Sequence, residues 1–164
     1  MLPSLLSEVY CFSKIHGLDY VALRYANVYG PRQNAHGEAG VVAIFIARLL
    51  SGRPVTINGD GHQTRDFVFV KDVVSANLQA LKLDQVGSYN IGTGAETSIN
   101  EIYNKLADIS GIKELPQYAP GKLGEQSRSV LDHSKAGRDL HWQPQIQLDQ
   151  GLQETYAFFK QQID

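Results

Sequence analysis

The segment Leu23-Arg24-Tyr25-Ala26-Asn27-Val28-Tyr29-Gly30-Pro31 constrains this chain most. Residues 19–25 alternate only weakly between apolar and polar, as a parallel strand buried on both faces does. The run then meets an Asn and a Gly-Pro turn. An α/β sheet delivers polar groups to a ligand crevice at the carboxyl ends of its strands in this way. The polar, Gly- and Pro-containing stretch 27–40 reads as a long loop.

Helices and strands alternate through the rest of the chain, which means an α/β fold with some parallel pairing. Leu5, Leu6, Val9, Tyr10, Phe12 and Ile15 form a helical apolar face, with Gly17 as its C-cap. Cys11 sits in that stretch, so core packing is its expected role. Val41, Val42, Ile44, Phe45, Leu49 and Leu50 give a second helix, ended by Gly52 and Pro54. Residues 55–57 form a short strand, and Asn58-Gly59-Asp60-Gly61 a turn. Residues 65–70 alternate, with Phe67 and Phe69 opposite Val68 and Val70. The strands at 55–57 and 65–70 are expected to make a small sheet of their own.

Asp72 is placed to cap a helix over 73–83. A strand at 88–91 closes on Gly92-Thr93-Gly94. Ser98-Ile99-Asn100-Glu101 is a capping box opening a helix to about Ser110. Residues 115–126 read as irregular. Asp132 or Ser134 opens a short helix to about Leu140, and 148–162 form a last helix with Leu152, Tyr156 and Phe159 on one face. Only 19–25 and 88–91 suit the interior of a doubly wound sheet.

The 164 residues suffice for one domain with a real core. A net charge of −2 lacks the basic footprint of a nucleic-acid binder. No apolar run approaches the ~20 residues needed to cross a bilayer. With one cysteine there is no intramolecular disulfide, and no basic n-region marks a signal peptide. A cytoplasmic location is the default expectation. His16, His36, His62, His133 and His141 show no metal-ligand spacing and read as surface or loop residues. There is no Gly-x-Ser-x-Gly.

The segment from Leu23 to Gln33 closely resembles one in the extended short-chain dehydrogenase/reductase family, in its NAD-dependent nucleotide-sugar epimerases and dehydratases. Four further segments resemble the same family in the same order. They are 54–61, Thr64-Arg65-Asp66-Phe67-Val68-Phe69-Val70-Lys71-Asp72-Val73, Tyr89-Asn90-Ile91-Gly92-Thr93-Gly94, and Asp132-His133-Ser134-Lys135-Ala136 through Trp142. The resemblance implies the C-terminal part of such an enzyme, with residual Rossmann-sheet strands and a small mixed α/β substrate-binding lobe. Residues 1–164 then form a single nucleotide-sugar-binding C-terminal region, and the N-terminal NAD-binding Rossmann half is absent.

The resemblance also implies roles. Asn27 matches an Asn that binds the diphosphate, and a neutral amide does so without an ion's desolvation cost. The rival reading is a loop-capping Asn. Arg65 matches a phosphate- or ribose-binding Arg, whose planar fork suits phosphate oxygens. Its rival is an ion pair with Asp66 or another carboxylate. Val41 and Val42 match substrate-contacting positions, through backbone at a helix start suited to phosphate. Thr56, Ile57 and Asn58 match the segment lining the nucleobase, although the family often has an aromatic residue where Asn58 stands. Lys122, in Lys122-Leu123-Gly124-Glu125, takes the place of a second phosphate-binding Arg, and Glu125 matches a ribose-hydroxyl acceptor. A solvated Lys and a surface Glu are the alternatives. Tyr25, Ala26 and Val28 match nicotinamide-side contacts.

Aligned on Ser7-Glu8, the family's catalytic Tyr falls before Met1 and its Lys near Ser4. Neither residue stands there, and Lys14 lies downstream in another register. The family's Gly-rich NAD loop does not occur. The resemblance therefore implies NAD in the full-length family, with none held by this chain alone, and no catalytic residue in cis. The expected ligand is a nucleotide-diphosphate sugar. A separate Rossmann chain and self-association are the candidate protein partners, with no nucleic acid and no membrane. An enzyme portion inactive alone, a binding module or split-enzyme subunit, and an unrelated small enzyme are the competing functions.

Overall fold

The computed structural model describes residues 5–35, 40–82, 84, 86–121 and 123–162. Helix α1 (Leu5–His16) stops at Gly17, whose φ of 66° is a left-handed value that glycine adopts without a Cβ penalty. Strand β1 (Val21–Tyr25) leads through Ala26 to β2 (Asn27–Tyr29). Helix α2 (Val41–Leu50) starts at Gly40. Three strands follow, β3 (Thr56–Asn58), β4 (Thr64–Arg65) and β5 (Phe67–Phe69), and then helix α3 (Val70–Lys82). Strands β6 (Gly87–Ile91) and β7 (Thr97–Ser98) precede α4 (Ile99–Ser110). Strands β8 (Gln117–Ala119) and β9 (Arg128–Ser129) and helices α5 (Ser134–Asp139) and α6 (Leu148–Lys160) complete the chain.

Parallel pairing dominates, as the alternation of elements implies. β1 pairs with β6, and β2 with β5, so that Asn27 stands opposite Phe67. Several structural expectations need correction. The stretch after Ala26 opens with strand β2 rather than loop, because β5 offers it a parallel edge. The strands at 55–57 and 65–70 do not form their own sheet. The first, β3, pairs with β8, which makes 117–119 a strand in place of irregular chain. The second breaks at Asp66, and β4 joins β7 and β9 while β5 joins β2. Strand β1 exists but is half-exposed, since among the described residues β6 is the one strand paired with it.

Strand β5 ties two cores together through its period of two. Phe67 and Phe69 enter a cluster with Phe45, Ile46 and Leu49 of α2, Ile102 and Leu106 of α4, and Leu152 of α6. Val68 enters a second cluster with Tyr89, Ile91, Leu140 and Trp142. Each such side chain stabilises the fold by roughly 1.5–3 kcal/mol through burial. Tyr29 is sealed in the first core, where its hydroxyl donates to the Leu148 carbonyl at 3.3 Å. Burial pushes its pKa well above the ordinary tyrosine value, with Asp72 and Asp149 adding to the shift.

Asp72 does not cap α3. It lies inside the first turn, buried, and its carboxylate accepts the loop amides of Gln145 and Ile146, both at 3.1 Å. The Trp142 indole donates to the Asp72 carbonyl at 2.9 Å and fastens the same loop. Ser98 caps α4 as the capping box requires, accepting from Glu101 N–H at 3.1 Å. Cys11 is exposed, contrary to expectation, because the face of α1 around it is open, with Phe12 59% and Ile15 74% exposed. His133 is half-buried, edge-on to Trp142, whereas His16, His62 and His141 are exposed; His36 lies outside the described residues.

Candidate functional site

Strand β3, the start of α2 and the tips of β2 and β4 enclose a cleft of about 490 Å³. Asn27 is exposed to it, at the point where β2 leaves Ala26. Gly40 and Val41 line it at the start of α2, where no side chain caps the helix. First-turn amides have no intrahelical partner, so this wall offers N–H donors. Thr56, Ile57 and Asn58 form the floor, and Arg65 and Glu125 face each other across the rim.

Seven of the nine expected substrate contacts thus stand around one cavity. They are Asn27, Val41, Thr56, Ile57, Asn58, Arg65 and Glu125. Val42 differs: its side chain points into the core at 1% exposure, which leaves only its backbone for a ligand. Lys122 lies outside the described residues.

Arg65 does make an ion pair, but not with Asp66. Its Nη2 lies 3.1 Å from Glu125 Oε1, and its Nη1 donates to the Thr64 carbonyl at 2.8 Å. Both partners are partly screened from water, so the pair holds the loop before β9 against β4. The Asp66 carboxylate turns away into the protein.

Several lining residues were not anticipated. Ile44, Phe45 and Arg48 follow Val41 at the 3-, 4- and 7-residue spacing of one helix face. That period was readable, and Arg48 is the one charge in α2. Its Nη1 donates to the Pro54 carbonyl at 3.0 Å, beside the entry to β3. Gln63 donates to the Asn58 carbonyl at 2.8 Å and fixes the other end of the floor.

Tyr25, Ala26 and Val28 lie apart from this cleft. The Tyr25 hydroxyl donates to Asn77 Oδ1 at 3.1 Å, and Ala26 and Val28 pack against the second core. The spacing Tyr-x-x-x-Lys occurs at Tyr10/Lys14, Tyr118/Lys122 and Tyr156/Lys160. None of the described ones lines the cleft. Lys14 lies over the Tyr10 ring at 5.6 Å on exposed α1, the Tyr118 hydroxyl donates to Asn100, and Tyr156 packs on the first core.

The UDP-glucose 4-epimerase of Mycolicibacterium smegmatis is 46% identical over 156 residues, covering 93% of this chain and 50% of that protein. The structure of the Thermotoga maritima UDP-glucose 4-epimerase with UDP-glucose superposes with a TM-score of 0.94 at 44% identity, covering 96% of this chain and 51% of the other. The Thermus thermophilus UDP-glucose 4-epimerase, solved with NAD, gives a TM-score of 0.85 at 39% identity over 94% of this chain and 50% of the other. This chain spans about half the length of the relatives it matches. Its α/β architecture with parallel strands is that of the extended short-chain dehydrogenase/reductase fold over that half. The model of the NAD-dependent epimerase/dehydratase family matches residues 6–92, more than half of the chain. The chain belongs to that family.

Proposed function

We propose that this chain is the nucleotide-sugar-binding portion of an NAD-dependent NDP-sugar epimerase or dehydratase of the UDP-glucose 4-epimerase kind. The observation that supports this most is the gathering of Asn27, the open start of α2, Arg65 and Glu125 around the floor of β3. Amide and guanidinium donors suit a diphosphate. A floor of backbone and small polar side chains suits a planar base. An arriving diphosphate competes with Glu125 for the Arg65 fork, and a displaced Glu125 carboxylate is free to accept ribose hydroxyls.

NAD is the family's cofactor, but the residues described here do not make a dinucleotide site by themselves. The Tyr25 hydroxyl is engaged by Asn77, and Ala26 and Val28 face inward. No Gly-rich phosphate turn of the dinucleotide type occurs in the sequence. Tyr10 and Lys14 stand on the open α1 and not at the cleft. We infer that the 164-residue chain binds the sugar nucleotide and does not turn it over alone.

Calorimetric titration with UDP-glucose tests the binding. Saturable binding that weakens about tenfold or more in Arg65→Ala is expected, the usual cost of losing a charged hydrogen bond. Equal affinity of the two proteins contradicts the assignment. Incubation with UDP-glucose and NAD should leave UDP-galactose at the no-protein level, and turnover that survives repurification contradicts the inactive reading.

A second reading, a subunit working with a separate Rossmann chain, is favoured by one observation. Tyr25, Leu81 and Val86 are exposed around a hollow of about 570 Å³ lined by one face of β1 and by α3, and among the described residues β1 has no strand on its other edge. Such an edge and patch are sites of association. Light scattering over a concentration series should show self-association of the chain alone. A concentration-independent monomer removes this support.

A further inference from the structure

The three arms of the cleft belong to different parts of the fold. Asn27 opens β2, Arg65 ends β4, and Glu125 precedes β9. They are joined at Asp66, the residue at the break between β4 and β5. Asp66 is 1% exposed, and its carboxylate accepts four hydrogen bonds, two on each oxygen. Oδ1 takes Thr93 N–H at 2.8 Å and Thr93 Oγ1–H at 2.6 Å. Oδ2 takes Gly94 N–H at 3.1 Å and Leu131 N–H at 3.3 Å. Its backbone carbonyl accepts Asn27 N–H at 2.8 Å. Leu131 follows β9 by two residues, so the Glu125 arm is tied to the same carboxylate. A Cβ on Gly92 would run into Asp66 Oδ2, so the turn approaches closely only as glycine.

A buried carboxylate with every lone-pair direction engaged is rigid, and ligand arms hold their spacing only when such a second layer fixes them. We propose that Asp66 is a positioning residue that sets the separation of Asn27 and Arg65 for a diphosphate, an inference that rests on the nucleotide-sugar reading above. Asp66 does not face the cleft, so it acts through the two residues it holds.

A double-mutant cycle tests this, with UDP as the titrant and Asp66→Asn, Arg65→Ala and their combination as the variants, each first shown to unfold cooperatively. Asp66→Asn keeps the shape but turns an amide N–H₂ toward backbone donors. It should weaken UDP about tenfold, and in the Arg65→Ala background it should weaken UDP by less than about threefold, because the arm it positions is already gone. A merely structural role predicts loss of stability with affinity unchanged, or losses that multiply, and either result overturns the proposal. If Asp66→Asn does not fold, Thr93→Val takes its place. It removes one donor to Oδ1 and should weaken UDP about threefold, whereas unchanged affinity overturns the proposal. A wild-type chain that takes no UDP removes the nucleotide-sugar reading and this inference with it. Wild-type binding left intact by Asp66→Asn removes this inference alone.

Discussion

The side of the molecule built from α2, α4 and α6 differs sharply from the side built from α1, β1 and α3. On the first, Val42, Phe45, Ile46, Ile102, Leu106 and Leu152 are all but sealed from water. On the second, Phe12 and Ile15 of α1, Val74 and Leu78 of α3 and Leu81 at its end are half-exposed or more, and among the described residues β1 pairs with a single strand. The candidate ligand residues stand on the sealed side, where the floor and walls are held by packing. The open side carries the apolar surface and the free strand edge. A site that must hold polar groups at fixed separations needs the former, and a surface that takes a partner needs the latter.

The largest expected effect contrasts two aromatic truncations. Phe45→Ala should cost about 3–5 kcal/mol, because it leaves a cavity between α2 and α4. Phe12→Ala should stay within about 0.5 kcal/mol, as exposed substitutions do. Denaturant unfolding of both variants checks this, and similar costs would erase the contrast between the two sides.

The next effect sharpens the functional half of the contrast. Asn27→Ala should weaken UDP-glucose about five- to tenfold through one lost hydrogen bond to an anion. Tyr25→Phe, on the open side, should change it less than twofold. Calorimetry on the two variants decides, and a larger loss for Tyr25→Phe moves the site.

A smaller effect concerns the cap of α4. Ser98→Ala should cost about 1 kcal/mol, read as a lowered unfolding midpoint. The smallest concerns Glu96, at the rim of the three-stranded sheet. Hydrogen bonds from Arg128 and Thr64 hold its carboxyl at about 2, below the ordinary value of 4.5. The stability this adds is present above pH 4.5 and fades as pH falls through about 2. Arg128→Ala should return the Glu96 midpoint toward the ordinary range, as followed by NMR titration. Because the Arg128 end of the pair is exposed to solvent, unfolding at pH 7 should barely move.

Much of this was legible in the sequence because it is local. The helices at 5–16 and 41–50 announce themselves by period and a following glycine, that at 99–110 by its capping box, and Phe67 and Phe69 oppose Val68 as the alternation says, whereas Val70 already belongs to α3 and packs with the first core. What was missed is set by distant partners. Residues 117–119 become a strand only because β3 lies beside them. The break between β4 and β5 depends on Thr93, Gly94 and Leu131 reaching Asp66, and no local propensity reports that. Asp72 has the look of a cap, yet the amides of a loop more than seventy residues later claim its carboxylate. The cleft was read from family resemblance at Asn27, Arg65 and Glu125. Arg48 was overlooked although its helical spacing from Val41 gave it away.

The most direct test of the account is an amide chemical-shift map of the labelled chain titrated with UDP-glucose. The account predicts saturable shifts at Asn27, Gly40, Val41, Thr56 to Asn58, Arg65 and Glu125, with α1 and the hollow beside Tyr20, Leu81 and Val86 unmoved. Shifts confined to that hollow, or none at all, would contradict it.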